Sequence, residues 1–512
     1  MNINFTKMKI GMSVIRNFFV LPLVLLILLT VSCKASNGND LDNGNTELLP
    51  GDDLYYNRNA YFNVYIFQDN RWKSVEVRNA LVSDAPNHHP DIWNDWGNAK
   101  KLRDTMSYAI FTDNFDAPLK VRVENRRANF EQVKVRPTSY GFETTRVNET
   151  TIEFTIDDWN RRKVSVEFDD NRYNNLFLFP NREDDNKPDP NDPNVTYFAA
   201  GEHNVGHIEL GDNETLYIDE GAVVYAHVSA KGNNIKITGR GILSGEKLPH
   251  IGNIYAEGPV LVNVSNTRNF TLSGVTLIDS PSWSVALFDV SHVTIDNMNM
   301  ICWILNGDGI DLCSVDDAVI NDCFIRTYDD CISLKVLANF YTDVNNIRVT
   351  NSLLWTDYAR GVMVGPESGD YTWGTGKIKN CIFENCIFLE QPSGDGDYRS
   401  AIAVVQHAMH GGGAALIDHI TFRNIEIDHM QQGGRPICLE QAPQRLNSTM
   451  QNIIFENIRI SDSKGHQHKS SIRTNNNQMK NIVFNNVTYN GQKITGAGDR
   501  LEIEGNVEIS FK

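Results

Sequence analysis

The sequence predicts an all-β chain in two parts, an N-terminal β-sandwich followed by a right-handed parallel β-helix, and three observations carry that prediction. Short runs such as YFNVYIFQ, SYAIFTD, LKVRVEN, TIEFTID and KVSVEFD alternate apolar and polar residues with period two, between clusters of Asn, Asp, Gly and Pro. Further along, one nine-residue template recurs nine times between residues 234 and 489. Between the two regions lies PNREDDNKPDPNDPN, residues 180–194, a charged and proline-rich stretch that reads as a connection rather than a core strand.

The chain opens on a leader, residues 1–33. Lys7, Lys9 and Arg16 precede an apolar run over residues 18–31, the pattern of a secretory signal and too short to favour a permanent span. The run ends in LTVSC, which resembles the lipobox of bacterial lipoproteins, so Cys33 is the expected lipidation site. Residues 34–50 are then a polar tether. An exported, lipid-anchored protein of the cell envelope is expected, in the outer membrane or periplasm, meeting a membrane through its lipid alone.

With 512 residues, 41% of them hydrophobic, the chain can bury more than one core. Its formal net charge of −17 repels nucleic acid and polyanions unless a local basic patch overrides it. A neutral partner is the default. The seven cysteines beyond Cys33 lie past residue 300 without paired metal-ligand spacing, and several occupy apolar strand positions, as buried small hydrophobes do.

The period-two runs give antiparallel strands with one buried face, and their number and spacing fit a sandwich over residues 51–185. The helix follows over 186–512. Its template reads NIKITGRGI (from 234), NFTLSGVTL (269), HVTIDNMNM (292), DAVINDCFI (317), NIRVTNSLL (346), NCIFENCIF (380), HITFRNIEI (419), NIIFENIRI (452) and NIVFNNVTY (481). Apolar residues recur at the second, fourth and usually seventh and ninth places, and the sixth is Gly, Asn or Asp throughout. A second apolar run follows in most units: GIDLC, CISLK, GVMVG, AIAVV, ICLEQ. A leucine-rich repeat requires a tighter period and an L-x-x-L-x-L pattern that is missing. In a parallel β-helix each coil stacks its strands on the previous coil's, and turn asparagines form hydrogen-bonded ladders.

Stacking brings acidic residues together. Equivalent positions in successive coils lie roughly 4.8 Å apart, so Asp308 before GIDLC, Asp330 before CISLK and Arg360 before GVMVG form one column, with Asp329 beside it. Isolated aspartates such as Asp316, Asp317 and Asp322 read as turn caps. A convergent trio of carboxylates opposes folding by mutual repulsion and brings no structural benefit that Asn would not bring at lower cost. Paired carboxylates are the equipment of glycoside hydrolysis. Asp329 is the candidate proton donor, and Asp308 with Asp330 the pair that holds and deprotonates water, giving inversion of configuration.

NGDGIDL (306–312) and DDCISLK (329–335) closely resemble the catalytic signature of glycoside hydrolase family 28, the polygalacturonases and their relatives, within the pectin-lyase-like parallel β-helix superfamily. GVMVGPESG (361–369) resembles that family's next segment. LYIDEGAVV and ITGRGILSGE, with a preceding sandwich, resemble the related dextranase-like family 49. The resemblance implies that the three aspartates carry these same roles. Two departures bear on substrate. Arg360 stands where polygalacturonases place the histidine of a Gly-His-Gly, and DYRSAIAVVQ replaces the stretch whose Arg-Ile-Lys grips galacturonate, keeping Arg399 but not the lysine. A neutral or sparsely charged glycan is therefore expected.

Lys335 and Arg360 are expected to pair with the catalytic carboxylates or a substrate oxygen. Trp283, Trp303, Tyr328, Trp355, Trp373 and Tyr398 are near the site in sequence; Trp303 and Tyr398 are the expected sugar platforms. ESGDYTWGTGK and QHAMHGGGAA are expected to wall the cleft, because solenoid insertions collect on a binding face. The chemistry requires neither a metal nor an organic cofactor. The alternatives are a polysaccharide lyase, which shares this fold, and a non-catalytic glycan-binding β-helix.

Overall fold

Asn and Asp tolerate the left-handed backbone region better than other non-glycine residues, and the template uses that tolerance twice per coil. A computed structural model describes residues 61–83, 103–172, 175–248, 258–302, 304, 306–337, 343–365, 376–391, 399–406, 415–441 and 448–512. The expected leader with Cys33 and the expected tether lie outside these. Among the described residues no helix is long and apolar enough to cross a membrane.

All nine sixth-place residues have positive φ, including Gly239, Asn297, Asp322, Asn424 and Asn486. So do all nine first-place residues: Asn234, Asn269, His292, Asp317, Asn346, Asn380, His419, Asn452 and Asn481. These are two corners of a three-sided coil, and the strand between them forms one side. At the second corner Asn385 donates to Asn351, Asn424 to Asn385, Asn457 to Asn424 and Asn486 to Asn457, at 2.9–3.5 Å. Gly239 is glycine by necessity, since a Cβ there would lie 1.9 Å from the Ile218 carbonyl oxygen.

Among the described residues twenty-five strands, from Val195–Phe198 to Leu501–Phe511, join in one sheet that winds as the helix. Coil-to-coil pairing is parallel, for instance Ile310↔Ile332↔Val362↔Ile402↔Ile437. The template's apolar places point inward, so Ala318, Ile320, Cys323 and Ile325 of one coil stack on Ile347, Val349 and Leu354 of the next. Phe383, Phe422, Phe455 and Phe484 continue the column with ring centroids 4.9–5.2 Å apart. The seven cysteines beyond Cys33 are buried free thiols.

Among the described residues the sandwich comprises two five-stranded sheets. One pairing differs from the antiparallel expectation: Leu176–Asn181 runs parallel to Arg103–Thr112, the return of a long crossover. Pro180 and Asn181 belong to this strand rather than to the connection. Pro180 is tolerated because the antiparallel neighbour pairs only with Leu176 to Leu178, so no partner there requires its missing N–H.

This second sheet docks on the helix side that leads into the aspartate corner. Phe177 and Phe179 pack against Phe324 at 4.8 and 5.0 Å, and Phe177 meets Trp355 edge-on at 5.8 Å. Buried charges complete the seam. Arg136 reaches Glu167, Glu390 and Asp428, Arg162 and Lys163 reach Asp322, and Arg326 pairs with Asp357 while donating to the Arg172 carbonyl and Asn175.

Candidate active site

The third corner of the coil lies between Phe324–Thr327 and Ile332–Lys335, and it carries Asp329 and Asp330. Its shape is held by hydroxyls. Thr327 and Thr356 both donate to the Asp329 carbonyl, at 2.7 and 2.8 Å, while the Asp329 carboxylate accepts the Asp330 N–H at 3.0 Å. In the preceding coil Gly309 donates to the Asp330 carbonyl at 2.8 Å. A Cβ on Gly309 would come within 2.4 Å of the Cys331 carbonyl oxygen, so only glycine lets these two coils close up.

The register extends the pairing Ile310↔Ile332↔Val362 back by two residues, aligning Asp308, Asp330 and Arg360 in one column. Asp308 and Asp330 are buried, at 4% and 2% exposure, while Asp329 is half-buried. Asp330 accepts the Arg360 backbone N–H at 3.0 Å and its guanidinium at 3.3 and 3.4 Å, with the Ser333 hydroxyl at 3.3 Å. Asp308 accepts from Lys335 Nζ at 3.3 Å. Burial and then the neighbouring Asp311 charge raise the Asp308 carboxyl well above the usual range; Lys335 opposes them, and Asp329 and Asp330 add to the rise.

Lys335 and Arg360 thus stand against carboxylates. Arg399 lies over the Tyr358 ring at 4.2 Å, and Tyr358 stacks on Tyr328 at 4.8 Å. The Trp283 indole holds Lys335 Nζ at 4.3 Å. Trp303 and Tyr398 lie outside the described residues, as does most of both insertions.

Asp311 is the residue that the motif comparison passes over. It is fully buried, with Lys335 Nζ 2.9 Å from its Oδ1. Its signal was the alternation itself: Ile310 and Leu312 point into the core, so the Asp between them points out toward Lys335. Trp283 was legible in the same way, because Val285↔Ile310 places it level with Asp308.

Comparison with known proteins identifies the family and the fold. The profile of Glycosyl hydrolases family 28 matches residues 227–510, more than half the chain, and that of the Glycosyl hydrolase family 49 N-terminal Ig-like domain matches 95–196. Exopolygalacturonase B of Aspergillus niger is 26% identical over 307 residues, which cover 54% of this chain and 66% of that protein. The chain therefore spans just under two thirds of that relative's length. The structure of Dex49A from Penicillium minioluteum superposes with a TM-score of 0.61 at 15% identity, over 88% of this chain and 94% of that one, a likeness of fold. On the family 28 profile, with the sandwich and β-helix in place, the chain belongs to glycosyl hydrolase family 28.

Proposed function

We propose that the protein hydrolyses glycosidic bonds of a polysaccharide or oligosaccharide with inversion, through Asp308, Asp329 and Asp330. The observation that carries this reading is the corner itself: two buried carboxylates from adjacent coils flank a third that is half-buried. Asp329 gives its proton to the leaving oxygen. Asp330, held by Arg360, acts with Asp308 on the water: its oxygen bonds to the anomeric carbon from the opposite face and its proton passes to a carboxylate. Exchange with solvent then restores both protonation states.

The substrate we favour is a neutral or sparsely charged glycan. Both cations nearest the corner are engaged by its own carboxylates, and the chain's −17 charge disfavours a polyanion. A second reading, galacturonan, is favoured by the name of the Aspergillus niger relative and by Arg399. Reducing-sugar release by the purified protein on dextran, other neutral glycans and polygalacturonate decides between them. Activity that falls about a hundredfold or more in Asp329→Asn, with anomeric NMR showing inverted product, is expected. Full activity in that variant refutes the assignment, and release of an unsaturated product would identify a lyase.

A further inference from the structure

Asp311 has no part in the chemistry proposed above, yet it shares a cation with Asp308. Lys335 Nζ lies 2.9 Å from Asp311 Oδ1 and 3.3 Å from Asp308 Oδ2. The three side chains expose 0%, 5% and 2% for Asp311, Asp308 and Lys335, so water screens little of their interaction. One ammonium serves two buried carboxylates, and the nearer is the one that does not meet substrate.

Among the described residues Lys335 is the cation that stands against Asp308. Asp329 and Asp330 face Asp308 from the next coil and add negative charge, and the Arg360 guanidinium is committed to Asp330. The preceding coil offers Trp283 and Ser284, neither of them charged, and the indole fixes Nζ from below. We propose that Asp311 is a positioning residue: it draws the Lys335 ammonium onto itself, withholds part of that charge from Asp308, and so makes Asp308 a better acceptor for the proton of the attacking water. A base whose proton affinity is matched to the working pH transfers protons faster than a fully ion-paired carboxylate. The inference rests on the glycosidase reading.

The test is a pH titration of the Asp308 carboxyl in full-length protein labelled with carboxyl-13C aspartate, its signal assigned by its loss in Asp308→Asn. In Asp311→Asn, which preserves shape, Lys335 becomes available to Asp308, and the midpoint should fall by about one unit or more. In Lys335→Met it should rise. Either variant alone suffices, should the other fail to fold. On whichever glycan is hydrolysed, the acid limb of kcat/KM should move to lower pH in Asp311→Asn with KM unchanged, whereas a merely structural role would lower the rate at every pH. A midpoint within about 0.3 unit of the parent overturns the inference whatever the activity. A midpoint that moves while Asp308→Asn hydrolyses as fast as the parent overturns the catalytic reading instead, leaving the coupling of the two aspartates intact.

Discussion

Replacing Arg136 by Met should separate the stability of the sandwich from that of the helix. The Arg136 side chain is 6% exposed, and it contacts Glu167 of the sandwich at 3.1 Å and Glu390 and Asp428 of the helix at 3.2 and 3.0 Å. It also donates to the Leu389 carbonyl. Removing it leaves three buried carboxylates without that guanidinium. Arg172 and His429 still serve Glu390, Thr138 still serves Asp428, and Ser165 still serves Glu167. Truncating one partner of a buried pair costs about 3–5 kcal/mol, and the surviving donors place this variant at the lower end. Urea denaturation followed by tryptophan fluorescence reads the loss, since Trp355 lies in the seam beneath the Arg136 guanidinium at 5.3 Å. Neutralising the partners as well, with Glu167→Gln, Glu390→Gln and Asp428→Asn, should recover most of it, because the cost lies in stranded charge. A loss below about 1 kcal/mol, or no recovery on neutralisation, refutes the reasoning. Acid provides an independent check. Burial pushes the Glu390 carboxyl up, but the hydrogen bond and charge of His429, then Arg136 and Arg172, bring it down to about 2 from the usual 4.5. A depressed folded value stabilises above the unfolded one, so this contribution, about 3 kcal/mol, is present above pH 4.5 and lost as pH falls toward 2. In Arg136→Met that acid sensitivity should shrink.

Arg360→Gln keeps the backbone N–H and Ser333 on Asp330 but removes the guanidinium; kcat should fall about tenfold or more with KM little changed, and a raised KM at unchanged kcat would make Arg360 a substrate ligand instead. Gly309→Ala drives a Cβ to 2.4 Å from the Cys331 carbonyl oxygen, so it should cost about 1–3 kcal/mol and displace Asp308; full activity would show that the two coils need not close so tightly. Asn424→Ala loses the ladder bonds to Asn385 and from Asn457, both 3.0 Å, and puts Ala at φ 52°. A cost of about 2–3 kcal/mol is expected, with Asn424→Gly milder. Thermal unfolding that ranked Gly worse than Ala would remove backbone strain from the account.

The helix was legible because its physics repeats. Each template place meets the same surroundings in every coil, so nine weak signals add into one strong one, and the Asp308, Asp330 and Arg360 column followed from counting residues. The first-place turn was equally present in the letters, as Asn, His or Asp in all nine copies, but the apolar pattern drew attention to the sixth place. Asp311 was hidden by the motif that contains it, since only strand alternation shows which way its side chain points. The parallel pairing of Leu176–Asn181 left no trace, because alternation reports which face is buried and not which neighbour supplies the ladder. The Arg136 network was likewise invisible: its partners are 31, 254 and 292 residues away along the chain.

The position of the sandwich follows from the same coil geometry and bears on the proposed site. The sides it covers, Phe324–Thr327 and Leu353–Thr356, are the strands that run directly into Asp329 and Arg360. Arg326 donates to the sandwich at the Arg172 carbonyl, 2.9 Å, and Asn175, 3.0 Å, and with its remaining nitrogens grips Asp357, which also accepts from the Trp355 indole. Asp357 is followed by Tyr358, whose ring stacks on Tyr328, the residue before Asp329. A chain of packed contacts therefore connects sandwich backbone to both sides of the proposed catalytic corner. Packed groups of this kind transmit small displacements rather than absorb them, and an active site requires its carboxylates within a fraction of an ångström of their working positions. The sandwich thus acts on the corner as a buttress, holding in register the two coils that supply the proposed proton donor, Asp329, and Arg360, the ion partner of Asp330.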